Sequence, residues 1–476
     1  MPDGFGVRLH ENSRWLSPVV LVGGSPLVVV ALSQDAADIV RALDKGETVA
    51  GAGPGAGLIA RRLLDADLAL PQPDESGPGL DDVTVVIPAR NAASLLPRLL
   101  ASLPDVSEVI VVDDGSADDT GAVARAHGAR VLRREDGHGP SSARNHGLRS
   151  VRSPLALLVD ADVVLAPATP QRLVGHLADP AVAMVAPRVH ALEGGGAGLI
   201  DRYEAARSPL DLGGRAGRSR PGAHPAFVPS TVLLVRVGPV RQVGGFDEAL
   251  HFGEDIDLSW RLVEAGYTVR YEAQAPVHHE HRVKAGALLR RRAAYGGPAV
   301  ELAIRHPASA GAWSAPPGVL AAAGASLVAG PLGGAAVGVG STADGIASLV
   351  AAGVAVGPAA KLVVGDHVQS VRAALFALTR PWLPAALVLA VFSSKVRRLL
   401  VASLFVRHAS DWRKSRPPVG PAAWLLLRTA DDLAWAVGLW GSVVRSRRVA
   451  PLLPRRRHSR LMTSPEGCWT ELARFG

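Results

Sequence analysis

At 476 residues the chain is too long for one ordinary core, so two or three folding units are expected. The 51 Lys and Arg outnumber the 43 Asp and Glu, a formal charge of +8, and the excess gathers in "RSRRVA" and "PRRRHSR" near the C-terminus. A single cysteine, Cys468, excludes an internal disulfide and a thiolate metal site. No aromatic residues interleave with the basic ones, so nucleic acid is not an expected partner.

The N-terminus "MPDGFGVRLHENSRWL" has early charges and no compact apolar core, so no secretory signal is expected. Residues 1–70 read as a first unit. "WLSPVVLVGGSPLVVVAL" predicts a β-hairpin around its Gly-Gly turn. "LSQDAADIVRALDKGETV" predicts a helix capped by Ser33, with Ala36, Ile39, Val40 and Leu43 on one face. The Pro/Gly/Asp-rich residues 71–82 then read as a linker.

From Val83 strands and helices alternate: "VTVVIP", a helix over "AASLLPRLLASL" kinked at its proline, "EVIVVDD", a helix over "ADDTGAVARAHG", "ARVLR", a helix near Ser141–Val151, and "PLALLVDAD". That alternation predicts an α/β fold with a mostly parallel sheet, flanked by helices and joined by right-handed crossovers. Ligands of such sheets bind beyond the carboxyl ends of the strands. Polar residues collect there, at Pro88–Arg90, Asp113–Asp114 and Asp160–Asp162.

Four clusters carry candidate chemistry. Asp113 and Asp114 end a strand, where a carboxylate accepts hydrogen bonds from a base or ribose; an acidic helix cap explains the pair as well. Asp160 and Asp162 end another, and hard oxygen ligands of this kind suit Mg²⁺ or Mn²⁺ completed by phosphates and water. In "GGFDEALHFGEDIDLSWRL" a turn delivers Glu254, Asp255 and Asp257 to the first turn of a helix, where negative charge is favourable. One of them can take a proton from an acceptor hydroxyl. "VHHEHR" offers three histidines to a metal, or forms a surface cluster.

Beyond residue 310 the composition turns to Ala, Gly and Val. Val319–Thr342 runs without a charge and is long enough to span a bilayer by the ~20-residue rule. Ile346–Ala360 is shorter, and Pro384–Val406 is interrupted by Lys395, Arg397 and Arg398, as in two shorter helices or an interfacial one. Packed helices of a soluble region are the other reading. A cationic tail beside apolar helices fits the cytoplasmic face of a membrane, and the cytoplasm is the alternative location.

Jointly, "VVIPARN", "VIVVDDGSADDT", "SSARNHGL", "LLVDADV", "GGFDE" and "GEDIDLSWRL" resemble the family 2 glycosyltransferases of the GT-A fold, over roughly residues 83–300. The resemblance implies inverting transfer of a sugar from a nucleotide diphosphate donor, UDP-glucose by expectation, with a divalent metal. It implies that Pro88, Arg90 and Asp113 or Asp114 line the nucleoside pocket and that Arg144 helps hold the donor. Asp160 would lie on the ribose side and Asp162 on the metal, completed by His279 or His281. Asp255 would be the base, with Glu254 beside it against the acceptor. "LLRRRAAYGG" lacks the Q-x-x-R-W motif of processive synthases, which speaks against a chain-extruding enzyme.

The N-terminal unit resembles the small winged-helix-like α+β domains that recognise peptides in peptide-modifying pathways, which implies a peptide-derived acceptor. The expected units are therefore residues 1–70, a linker at 71–82, a transferase domain at 83–310 and an apolar, basic helical region at 311–476. A lipid or cell-wall acceptor, a nucleotidyltransferase on a similar sheet and a non-catalytic sugar-nucleotide-binding module are the competing readings.

Overall fold

The computed structural model describes residues 1–72, 77–192, 198–280, 285–309, 311, 313–315, 317–456, 460–463 and 470–474. The chain opens with strands β1 (Gly6–Leu9), β2 (Arg14–Ser17), β3 (Val20–Gly23) and β4 (Val28–Ala31). Helices α1 (Gln34–Asp44) and α2 (Ala56–Asp65) and strand β5 (Ala69–Gln72) follow. The expected hairpin extends to an antiparallel run β2-β3-β4. Ser33 caps α1, its Oγ accepting the Ala36 N–H at 3.2 Å, and Ala36, Val40 and Leu43 turn inward. β5 pairs with β1, which carries the unit past residue 70 to Gln72. Phe5, Leu21, Val30, Val40 and Leu63 share its core.

The second unit runs β6 (Val83–Ala89), α3 (Leu96–Ala101), β7 (Glu108–Asp114), α4 (Thr120–Ala126), β8 (Arg130–Arg134), α5 (Pro140–Ser150), β9 (Leu155–Val159), β10 (Val163–Leu165) and α6 (Thr169–Gly175). It continues through β11 (Val182–Ala191), α7 (Leu199–Arg207), β12 (Gly217–Ser219), β13 (Val232–Arg236), α8 (Val237–Gln242), α9 (Glu254–Glu264) and β14 (Thr268–His279). Among the described residues the sheet order is β10-β14-β11-β13-β9-β6-β7-β8, with β12 on β14. Alternate residues of each central strand serve opposite faces. Val85, Ile87, Val111 and Leu157 pack on one side, and Val86, Ile110, Val112 and Leu158 on the other.

The α/β expectation holds, with two corrections. The sheet is mixed: β9, β6, β7 and β8 are parallel, but β13 runs antiparallel to both β9 and β11, and β10 and β12 antiparallel to β14. The kink expected at Pro97 is also missing, because α3 begins at Leu96 and a first-turn N–H has no intrahelical acceptor, so the proline removes no helical hydrogen bond.

The first unit is fastened to this sheet by part-buried polar contacts. Arg61 grips Asp179 through both nitrogens at 2.5 and 2.8 Å. Arg218 reaches Asp65 at 2.9 Å, its backbone N–H donates to Asp67, and His10 meets the Ala216 carbonyl at 2.9 Å.

The third region comprises α10 (Ala285–Gly296), α11 (Ala299–Arg305), β15 (Trp313–Ala315), α12 (Pro317–Ala351), α13 (Val356–Thr379), α14 (Leu383–Phe392), α15 (Ser394–Ser415), α16 (Pro421–Ser446), β16 (Pro454–Arg456), β17 (Arg460–Thr463) and β18 (Thr470–Arg474). Gly330, at φ 74°, breaks α12, so the segment long and apolar enough to cross a membrane is Leu332–Ala351 rather than Val319–Thr342. α13 and α14 qualify only as a pair bent by 77°. Ser393 separates apolar α14 from basic α15 and caps the latter. α16 crosses α10 at two glycines: a Cβ on Gly438 would fall 1.8 Å from the Ala293 carbonyl, and one on Gly296 2.1 Å from that of Trp435. β17 pairs parallel with β4, returning the chain to the first unit.

Candidate active site

A cavity of about 1490 Å³ lies beyond the carboxyl ends of β6, β7 and β9 and is covered by α10, α13 and α16. Pro88, Arg90, Asp114, Arg144, Asp160, Asp162, Glu254, Asp255 and His279 all line it. Asp113 is not among its walls. It is fully buried, accepting the Ser116 N–H at 3.0 Å and Arg133 at 2.5 Å. Burial pushes its carboxyl up, but the Ser116 and Arg133 hydrogen bonds outweigh that and hold it below the usual range. Adjacent strand residues face opposite ways, so Asp113 ties down the turn while Asp114 faces the cavity. Asp114 in turn accepts the N–H of Gly139 at 2.8 Å and of His138 at 3.2 Å, fixing the start of α5.

Arg144, on α5, is buried and central. Its Nη2 donates to Asp160 at 2.6 Å, its Nη1 lies 3.6 Å from Glu254, and its guanidinium covers the Phe246 ring. One cation therefore joins the acids after β9 to those opening α9. Burial pushes Asp160 above the usual carboxylate range despite Arg144. The neighbouring Asn145 exchanges two hydrogen bonds with the Phe246 backbone and so anchors the Gly-Gly turn to α5.

Asp162 and His279 meet at 3.2 Å, from the loop after β9 and the end of β14. Burial opposes the charge on His279, but the Asp162 and Asp160 carboxylates overcome it and raise the imidazole. One oxygen and one nitrogen donor at the cavity wall fit a divalent ion that takes its other ligands from a diphosphate and water. Among the described residues no group of three His, Cys, Asp or Glu is placed to enclose a metal alone. His281 lies outside the described residues.

Glu254 and Asp255 open α9 behind Gly253, whose φ of 79° turns the chain into the helix. Ser230 donates to Glu254 at 3.2 Å. Burial and the adjacent Glu254 charge push Asp255 up to about 7. That places a proton acceptor for a hydroxyl near neutrality. Asp257 points away, into Arg261 at 2.7 Å and His306 at 3.1 Å.

The opposite wall, which the motifs do not announce, includes Tyr295, Arg292, Arg428, Asp431 and Trp435. Its one trace in the sequence is "LLLRTADDLAW", charges set inside an apolar helix.

Residues 84–237 match the model of "Glycosyl transferase family 2". The chain is 38% identical to the "Pre-mycofactocin glycosyltransferase" of Mycobacterium tuberculosis, across 96% of this chain and 99% of that protein. It is 34% identical to the "Succinoglycan biosynthesis protein ExoU" of Rhizobium meliloti over 39% of this chain and 58% of that one. Among solved structures, a mannosyltransferase from Pyrobaculum calidifontis in complex with GDP-Man and Mn²⁺ matches with a TM-score of 0.37 at 19% identity, covering 76% of this chain and 89% of that one. So slight a structural likeness transfers nothing further.

Proposed function

Because the chain belongs to the family 2 glycosyltransferases and is similar along nearly its whole length to a pre-mycofactocin glycosyltransferase, we propose that it is an inverting, metal-dependent transferase of the GT-A type. It moves glucose from UDP-glucose to a hydroxyl of pre-mycofactocin, a peptide-derived acceptor. One observation carries this reading: Asp160–Asp162 and Glu254–Asp255 face one cavity and are joined through Arg144.

The residues divide the work. Pro88, Arg90 and Asp114 hold the nucleoside, and Asp160, fixed by Arg144, meets the ribose. Asp162 and His279 would hold a Mg²⁺ or Mn²⁺ ion, which would supply positive charge against the leaving diphosphate. Asp255 takes the proton from the acceptor hydroxyl as its oxygen attacks the anomeric carbon opposite the leaving group, which inverts that centre. Glu254 keeps Asp255 basic and orients the acceptor. The first unit, with its α+β core, would recognise the peptide-derived partner.

A donor screen with Mg²⁺ and Mn²⁺ tests this by identifying the released product. UDP release dependent on pre-mycofactocin is expected, whereas pyrophosphate release would mark a nucleotidyltransferase. Asp255→Asn should abolish transfer yet bind UDP like the parent, and retained turnover removes Asp255 as the base.

A second reading rests on exposed apolar side chains. Val328, Leu332 and Phe392 are 91%, 85% and 84% exposed, beside basic α15. We propose that α12–α14 seat the protein on the cytoplasmic face of a membrane, where a lipid or cell-wall acceptor becomes the alternative substrate. Flotation with anionic vesicles tests the seating, and a lipid-linked product would favour that substrate.

A further inference from the structure

Both ends of the cavity set cations against acids. Asp114, Asp160, Asp162 and Glu254 stand with Arg90 and Arg144 at the donor end. Arg292, Arg380 and Arg428 stand with Asp431 where α10 meets α16, Arg380 lying 2.9 Å from Asp432 behind them. Arg292 and Arg428 are only 2% and 1% exposed. Arg292 donates to Glu204 at 2.6 Å and lies 3.0 Å from Asp431. Arg428 stands 3.5 Å from Asp431 and 3.6 Å from Asp411. Even so, Arg292 Nη1 and Arg428 Nε and Nη2 have no hydrogen-bond acceptor among the described residues.

Buried guanidinium N–H groups without acceptors are costly, and their fork matches planar oxygen groups. Trp435 and Tyr295 line the same end, and Arg380 stacks over Trp435 at 4.7 Å, which keeps that ring in place. The slot is therefore bounded by flat apolar walls and by two arginines that keep buried N–H groups without hydrogen-bond acceptors among the described residues.

We propose that this end is an acceptor subsite in which Arg428 and Arg292 hold a carboxylate or carbonyl oxygen of the acceptor, remote from the hydroxyl presented to Asp255. The inference rests on the transferase reading above. Amide and carboxyl carbons of a peptide-derived molecule carry such oxygens. The C-terminal helices thus select the acceptor, and Arg428 is a specificity-determining residue.

The test uses the full chain with UDP-glucose and pre-mycofactocin. Arg428→Met should raise the acceptor KM about tenfold. The donor KM should not change. Arg428→Lys keeps the charge against Asp431 but loses the fork, so its acceptor KM should also rise; it decides the matter should Arg428→Met not fold, as read from its melting curve. An unchanged acceptor KM in folded variants, or a donor KM rising in step, overturns the proposal. Should the wild type leave pre-mycofactocin untouched, the substrate reading fails separately, and calorimetry with benzoate then tests the subsite. Heat present in the wild type and lost in Arg428→Lys supports it, whereas no heat, or equal heat in both, overturns it.

Discussion

Asp255 is held in a costly state, and the cost has a pH signature. Its folded pKa is raised to about 7 by burial and by Glu254, so it keeps a proton that the unfolded chain releases near 4. The stability from this group is complete below the unfolded pKa and is lost as pH rises through the folded one. Asp255→Asn should therefore melt near the wild type at pH 4 and above it at pH 8, while transfer is lost. As the reactive form is the carboxylate, wild-type kcat/KM should climb about tenfold per pH unit below pH 7 and level off above it, in a pH–rate profile. The two acids of β7 give a second contrast. Asp113→Ala strips Arg133 and the Ser116 N–H of their partner and should cost about 1–3 kcal/mol in a melting experiment with donor affinity kept. Asp114→Ala should instead weaken UDP binding. The sequence placed both acids at the strand end, but not which one faces the ligand, because that depends on Arg133 and Ser116 claiming Asp113.

At the scale of elements, α5 is the part on which donor and acceptor acids both depend. Gly147 lets it lie against the sheet: a Cβ there would meet Val86 Cγ1 at 2.3 Å and Val112 Cγ2 at 3.1 Å. Gly147→Ala should cost about 1–3 kcal/mol by overpacking. It should also lower turnover by moving Arg144 away from Asp160, which denaturation curves and single-turnover rates would detect together. Strands β6, β7 and β9 were legible as near-continuous apolar runs, and α9 as an acidic first turn followed by apolar spacing. The antiparallel β13 was not, since a buried strand reads alike in either direction. Gly330 ended the predicted span for a comparable reason, since hydropathy does not register a positive φ.

For the whole molecule, the second unit and the C-terminal helices close around one cavity, while the first unit stands outside it. That unit is held to the sheet by polar contacts and to α12 and α13 by an apolar cluster of Val20, Val22, Val29, Leu349, Val354 and Ala359. Removing residues 1–70 would strip Asp179 and Arg218 of partners, so loss of activity in that truncation would not prove peptide recognition. Arg61→Ala is the milder probe. It should lower the melting temperature, costing about 1–3 kcal/mol, and speed proteolysis between the first two units while leaving the donor KM alone. The far wall was illegible in the sequence because Asp431 reaches Arg292 across more than a hundred residues of chain. Only the oddity of buried charge in "LLLRTADDLAW" hinted at it.

The crossing of α10 over α16 deserves a last consequence. With Gly296 and Gly438 in backbone contact, no side chain cushions the helices, and their separation is at its minimum. Arg292 and Tyr295 stand just before one glycine, and Arg428 and Trp435 before the other. The width of the slot between them is thus gauged by two hydrogen atoms. Replacing either glycine by alanine would work like a shim, widening the slot for bulkier acceptors without altering any residue that lines it.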